Sequence, residues 1–179
     1  PKRDAAIIMH ADFAHGPEYL PEIARRLEGG ADVVVTQATL QGEPRRAARL
    51  LRRYAKWLLR GVKVSGVRDI VSGYLAIRLV SLRNAIRAQE GPLLTAEGWA
   101  ANAELLGRVA QQARRVDTMD VVERLDLRSR DSRVDPWPMA KELWRVGGRL
   151  RISGRPPAEN RRGGPARPAD EPELEEATK

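Results

Sequence analysis

The 179-residue chain contains no cysteine. That absence excludes a disulfide scaffold, a zinc–thiolate site and a cysteine nucleophile, and it fits a cytoplasmic setting. Long apolar runs are missing too. None approaches the ~20 residues that a spanning helix requires, and no signal-peptide pattern is present. No internal repeat is found. Residue 1 is Pro rather than Met, which points to a fragment or a processed product. What is present is 42% apolar content, enough for one ordinary core, so one domain is expected over residues 1–152. From Ser153 onward large apolar residues almost vanish among Pro, Gly, Arg, Glu and Ala, and residues 153–179 are expected to be a disordered tail.

Acid is missing from one stretch in particular. Eight of the 32 basic residues fall within 44–63, which holds no acid, so the other 24 balance the 24 acidic residues and the net charge of +8 is one local patch. The same stretch places Ala47, Leu50, Leu51, Tyr54, Trp57, Leu58 and Val62 on one helical stripe, which predicts a basic amphipathic helix over 44–62. Three readings stand side by side. The helix docks through its stripe with a solvated basic face; or it lies on anionic lipid through Arg49, Arg52, Arg53, Lys56 and Trp57; or it binds a nucleic-acid backbone. The last is disfavoured, because no nucleic-acid motif accompanies the patch.

Ala5 to Met9 is a short apolar run of the kind found in a strand buried on both faces, and Pro17 suits the first turn of a helix that runs to Glu28 and stops at Gly29-Gly30. Ala31 to Gln37 predicts a second buried strand. Strand, helix, strand over this length implies a right-handed crossover and a parallel pair. Further on, Thr95–Arg115 has the period of a core helix, and Thr118–Arg128 alternates as a strand. Asp135-Pro136 opens a last helix that Gly147-Gly148 should stop.

Two polar constellations interrupt these elements. His10 and Asp12 follow the first strand, where ligands of open α/β sheets bind, although a strand-end aspartate also serves as a cap or turn residue. The second runs Val67-Arg68-Asp69-Ile70-Val71-Ser72-Gly73-Tyr74-Leu75-Ala76-Ile77-Arg78. Glycine there lets backbone approach a ligand closely, and Arg68 beside Asp69 should keep that acid ionised. Asp69 as a simple turn cap is the alternative.

In order and in content the two segments resemble family 2 glycosyltransferases of the GT-A fold, which include the polyprenyl- and dolichyl-phosphate mannose and glucose transferases. The first is similar to the family's Asp-Ala-Asp-Leu-Gln-His-Pro-Pro-Glu: Asp12 matches the second aspartate, His15 the histidine and Pro17-Glu18 the closing pair, while His10 and Ala14 replace the first aspartate and the glutamine. The second is similar to Asp-x-x-Ser-Gly-Phe-x-Ala-x-Arg, with Tyr74 as the aromatic. Glu104 matches a helical glutamate, and Arg128 a loop arginine, whose family continuation Arg-x-x-Gly-x-Ser-Lys is here Arg128-Ser129-Arg130-Asp131-Ser132-Arg133.

The resemblance covers about residues 4–146. It implies an α/β, Rossmann-like nucleotide-diphospho-sugar transferase fold, represented by its C-terminal portion, that moves a sugar from a nucleotide-sugar donor to a lipid-linked phosphate on the cytoplasmic membrane face. It implies a divalent metal (Mg²⁺ or Mn²⁺) at Asp12 and His10, Asp69 as the catalytic carboxylate, and Ser72, Gly73, Arg128 and Arg133 around the acceptor phosphate. Only Pro1 to Arg3 precede the first strand, so the donor's base pocket is expected from an upstream half, in cis or in another chain. A non-catalytic membrane-surface or scaffold module derived from the same fold is the alternative.

Overall fold

The computed structural model describes residues 4–10, 14–41, 46–127, 135–149 and 151–154. In chain order these form β1 (Ala5–Ile8), α1 (Leu20–Glu28), β2 (Val33–Gln41), α2 (Arg46–Leu58), β3 (Val62–Val64), β4 (Leu75–Arg78), α3 (Leu79–Arg87), α4 (Gly98–Gln112), β5 (Val116–Arg124), α5 (Pro136–Arg149) and β6 (Ile152–Gly154). Short 3-10 turns lie at Pro17–Tyr19 and Leu125–Leu127. Residues 155–179 of the expected tail lie outside the described residues.

The result is a mixed α/β fold around a four-stranded sheet of order β1-β4-β2-β5. β2 and β5 run parallel along their whole length, and β4 is antiparallel to both β1 and β2. Strand periodicity sends alternate side chains to opposite faces. Val33, Val35, Leu75 and Ile77 meet a core built with α2, α3, α4 and α5, while Val34, Tyr74 and Ala76 meet Ile23 and Leu27 of α1. The run Val33-Val34-Val35 is apolar without alternation because both faces of β2 are covered. A separate parallel pair, β3 and β6, lies over α4 at Gly107, where a Cβ would come 2.9 Å from both Val62 and Ile152.

Several expectations from the sequence do not hold. β1 and β2 point the same way but are not a pair, since β4 stands between them and bonds to each. A strand–helix–strand unit fixes direction, and a later strand is free to insert. β1 is also not buried on both faces. It is an edge strand of four residues, and Ile7 and Ile8 are 41% and 37% exposed. The strand expected to reach Arg128 is β5, which ends at Arg124, and Leu125–Leu127 forms a 3-10 turn after it.

Gly147-Gly148 does not stop α5, which runs to Arg149. Gly147 is instead a contact: a side chain there would collide with the Leu58 carbonyl, so glycine is what lets α5 lie against the end of α2. Leu51 and Ala55 of α2, and Leu59 just past its end, face the core, whereas Leu50, Tyr54 and Trp57 from the expected docking stripe are exposed. The start of α5 follows expectation, with the Trp137 N–H donating to Asp135 Oδ1 at 3.2 Å.

Candidate functional site

β1, β2 and β5 share one direction, so their carboxyl ends and the start of β4 lie at the same end of the sheet. His10, Gln37, Ser72–Tyr74, Asp120 and Glu123 gather there because the chain leaves three strands and enters a fourth at that end. In open α/β sheets this is where ligands bind.

Asp69 is held at the centre of this end. Arg52 donates to Asp69 Oδ2 from Nη2 at 2.6 Å and from Nε at 3.2 Å, and to Glu123 Oε2 from Nη1 at 2.6 Å. Burial works against the guanidinium charge, but the two carboxylates outweigh it and raise the Arg52 pKa above the ordinary arginine value. The partner of Asp69 is therefore Arg52 and not Arg68, whose guanidinium donates to Gln37 and Asp120. Arg52 itself departs from expectation. Instead of lying on the exposed basic side of its helix, it turns inward, with only 19% of its side chain exposed. Both Arg52 bonds go to Oδ2, and Asp69 lines an open cleft of about 350 Å³ together with Gln37–Leu40, Arg49, Arg52, Arg53, Arg68 and Asp120.

The second constellation packs against the first. His10 lies directly against Gly73, where any Cβ would strike the imidazole. The His10 N–H donates to His15 Nδ1 at 3.1 Å, and His15 stacks on Tyr74 with ring centroids 4.8 Å apart. The Tyr74 hydroxyl donates to the Gly16 carbonyl at 3.2 Å, and burial, with the nearby Glu18 charge, pushes its pKa above the ordinary tyrosine value.

Ser72 is buried and spent internally. Its Oγ accepts from the Tyr74 N–H at 3.3 Å and lies 3.1 Å from Thr36 Oγ1, which donates to the Tyr74 carbonyl at 2.8 Å. Its hydroxyl shapes the turn rather than pointing at the cleft. Segments some sixty residues apart in sequence thus form one surface.

No protein-family model matches the chain, and no curated protein does. The site is therefore read from its own chemistry: the Asp69 and Asp120 carboxylates in the lining of a cleft rich in guanidinium groups. Such a cleft suits an anion with planar or tetrahedral oxygens, for which arginine offers paired donors.

Asp12, Arg128 and Arg133 lie outside the described residues. Among the described residues no group of three or more His, Asp or Glu is placed to hold a metal ion. The His10 imidazole is exposed, and imidazole is a ligand that suits transition metals. Among the described residues no helix is long and apolar enough to cross a membrane.

Sequence reasoning missed Glu123, Thr36, Gln37 and Asp120. Glu123 alone left a trace, because it falls in phase with the buried Met119 and Val121, and an acid in a buried position needs a cation. Glu104, a resemblance-matched residue, is fully buried on α4, accepting from the Thr95 and Ala96 N–H groups at 2.8 and 3.0 Å and from Arg108 at 2.5 Å. It clamps the loop before α4 and stands with the fold rather than with the cleft.

Proposed function

We propose that this chain is the acceptor-side part of a GT-A family 2 glycosyltransferase, moving a sugar from a nucleotide-sugar donor to a lipid-linked phosphate. The observation that carries the reading is the meeting of its two motif segments, His10 on Gly73, beside an arginine-lined cleft that opens at Asp69. In this reading Arg49, Arg53 and Arg68, with Arg128 and Arg133, balance the acceptor phosphate. Asp69 is the catalytic carboxylate that orients the acceptor through Oδ1, while Arg52 restrains Oδ2. Gly73 keeps the backbone low where donor and acceptor meet. A divalent cation at Asp12 and His10 would, when bound, neutralise the diphosphate leaving group. Imidazole suits Mn²⁺ better than Mg²⁺.

Titration with inorganic pyrophosphate, in an Arg49→Gln, Arg53→Gln background that weakens phosphate binding in the arginine cleft, tests the cation motif without any base pocket. Binding should require the divalent ion, be tighter with Mn²⁺ than with Mg²⁺, and disappear in Asp12→Ala. Binding that ignores the ion, or survives Asp12→Ala, contradicts the reading and favours a non-catalytic module derived from the same fold.

A further inference from the structure

Of four tryptophans only Trp99 packs against the core; Trp57, Trp137 and Trp144 are 63%, 84% and 51% exposed. A large apolar ring is normally buried, so three in water together call for a partner. On α2, Leu50, Tyr54 and Trp57 recur at i, i+4 and i+7 and form one exposed stripe. One residue earlier in the same rhythm come Arg49, Arg53 and Lys56, followed by Arg60 just past the helix end, so a basic stripe runs beside the apolar one. Arg52 belongs to neither.

On α5, Trp137 and Trp144 are seven residues apart and share a face. The two helices are joined at this surface. Trp57 and Trp144 have ring centroids 5.9 Å apart, the Arg60 guanidinium lies 5.0 Å from the Trp144 ring, and Gly147 lets α5 press on the α2 backbone. The acid-free stretch 44–63 contributes no negative charge, and Glu142, the one acid of α5, is paired with Arg145.

We propose that α2 and α5 together form a seat for an anionic lipid surface, with Leu50, Tyr54, Trp57, Trp137 and Trp144 at the depth of the headgroups and Lys56 and Arg60, which do not line the Asp69 cleft, on the lipid phosphates. Indole and phenol rings favour that boundary because one end is apolar and the other carries a hydrogen-bond donor. Separate, parallel apolar and basic stripes match a flat interface. A single strand of nucleic acid is held instead by aromatics set within a charged groove. The seat rests on the lipid-acceptor reading for its purpose and on geometry alone for its place.

The test uses the full chain and vesicles of phosphatidylcholine with or without phosphatidylglycerol, and needs no donor, acceptor or metal. Binding should require the anionic lipid and fall as salt rises, and lipids brominated on their acyl chains should quench the tryptophan emission. A variant with Trp57, Trp137 and Trp144 changed to Phe should bind without quenching of its remaining Trp99. Trp57→Ser with Trp144→Ser should weaken binding about tenfold or more, and Lys56→Gln with Arg60→Gln on the order of fivefold per charge removed. Should the serine variant misfold, the glutamine pair tests the same surface through its charge. Vesicle binding unchanged in folded variants, no binding at all, or binding of homopolymer RNA in preference to vesicles would overturn the seat. Those results leave the pyrophosphate titration untouched, so the two proposals fail separately.

Discussion

Removing the Arg52 guanidinium should do more damage than removing any other charge of its helix. Arg52→Met keeps much of the side-chain volume but takes the guanidinium away from two carboxylates at once, Glu123, whose side chain is 4% exposed, and Asp69 at 14%. Deleting one partner of a buried pair costs ~3–5 kcal/mol, because the charge left behind has lost both water and its counter-ion. Arg52 retains some solvent contact, so the lower end, about 3 kcal/mol, is expected. For a domain of this size that is about 10 °C in melting temperature.

Adding Glu123→Gln should recover part of the loss, since it removes the more deeply buried of the two carboxylate charges, and the non-additivity is the signature of the cluster. The Arg52 pKa is raised, so its contribution is fully present below the ordinary arginine value and is lost only in strongly alkaline solution. Between about pH 5 and pH 9 the wild type should show no slope from this group. Thermal melts followed by circular dichroism suffice. A single variant within about 1 °C of wild type, or a double variant no better than the single, would refute the reasoning.

Gly147→Ala should lower the melting temperature by several degrees through its collision with the Leu58 carbonyl, whereas Gly148→Ala, which points into open space, should be neutral or stabilising by about 0.5–1 kcal/mol. Tyr74→Phe should cost about 1 kcal/mol by leaving the Gly16 carbonyl without its donor, and in wild type the absorbance titration of that phenol should lie above the ordinary tyrosine range. Glu22 is held below the usual carboxylate value by hydrogen bonds from Arg25 and Arg26, so its contribution is present above that value and lost as pH falls through the depressed one. An acid titration of α1 helicity should therefore show a loss that Glu22→Gln removes.

Most of the secondary structure could be read from period alone. α1, α4 and the β2 valines follow the simple rule that covered faces are apolar, and Asp135 and Pro17 mark their helix starts. Pairing was less legible. Nothing in Ala5–Ile8 says that its neighbour is Leu75–Arg78 rather than Val33–Gln41, because register and order depend on partners distant in sequence. α2 misled for a related reason: Leu50, Tyr54 and Trp57 have the right spacing for a core face, and only the positions of α5 and the sheet decide which side of the helix is covered. The site was visible where glycine and acid interrupt apolar runs, at His10 and at Asp69–Gly73. It was invisible where one arginine among eight basic residues turns inward to two carboxylates, since charge spacing on a helix does not reveal which residue has a buried acid within reach.

The central claim is that the sheet end at Asp69 and Gly73 receives a phosphate-bearing acceptor. Amide chemical-shift mapping with a short-chain polyprenyl phosphate tests it most directly, with inorganic phosphate as the comparison. Saturable shifts are expected, confined to the surroundings of Gln37–Leu40, Arg49, Arg53 and Asp69–Gly73, tighter for the lipid phosphate, and lost in Arg49→Gln with Arg53→Gln. Shifts centred elsewhere, or none at concentrations where the chain stays folded, would contradict it.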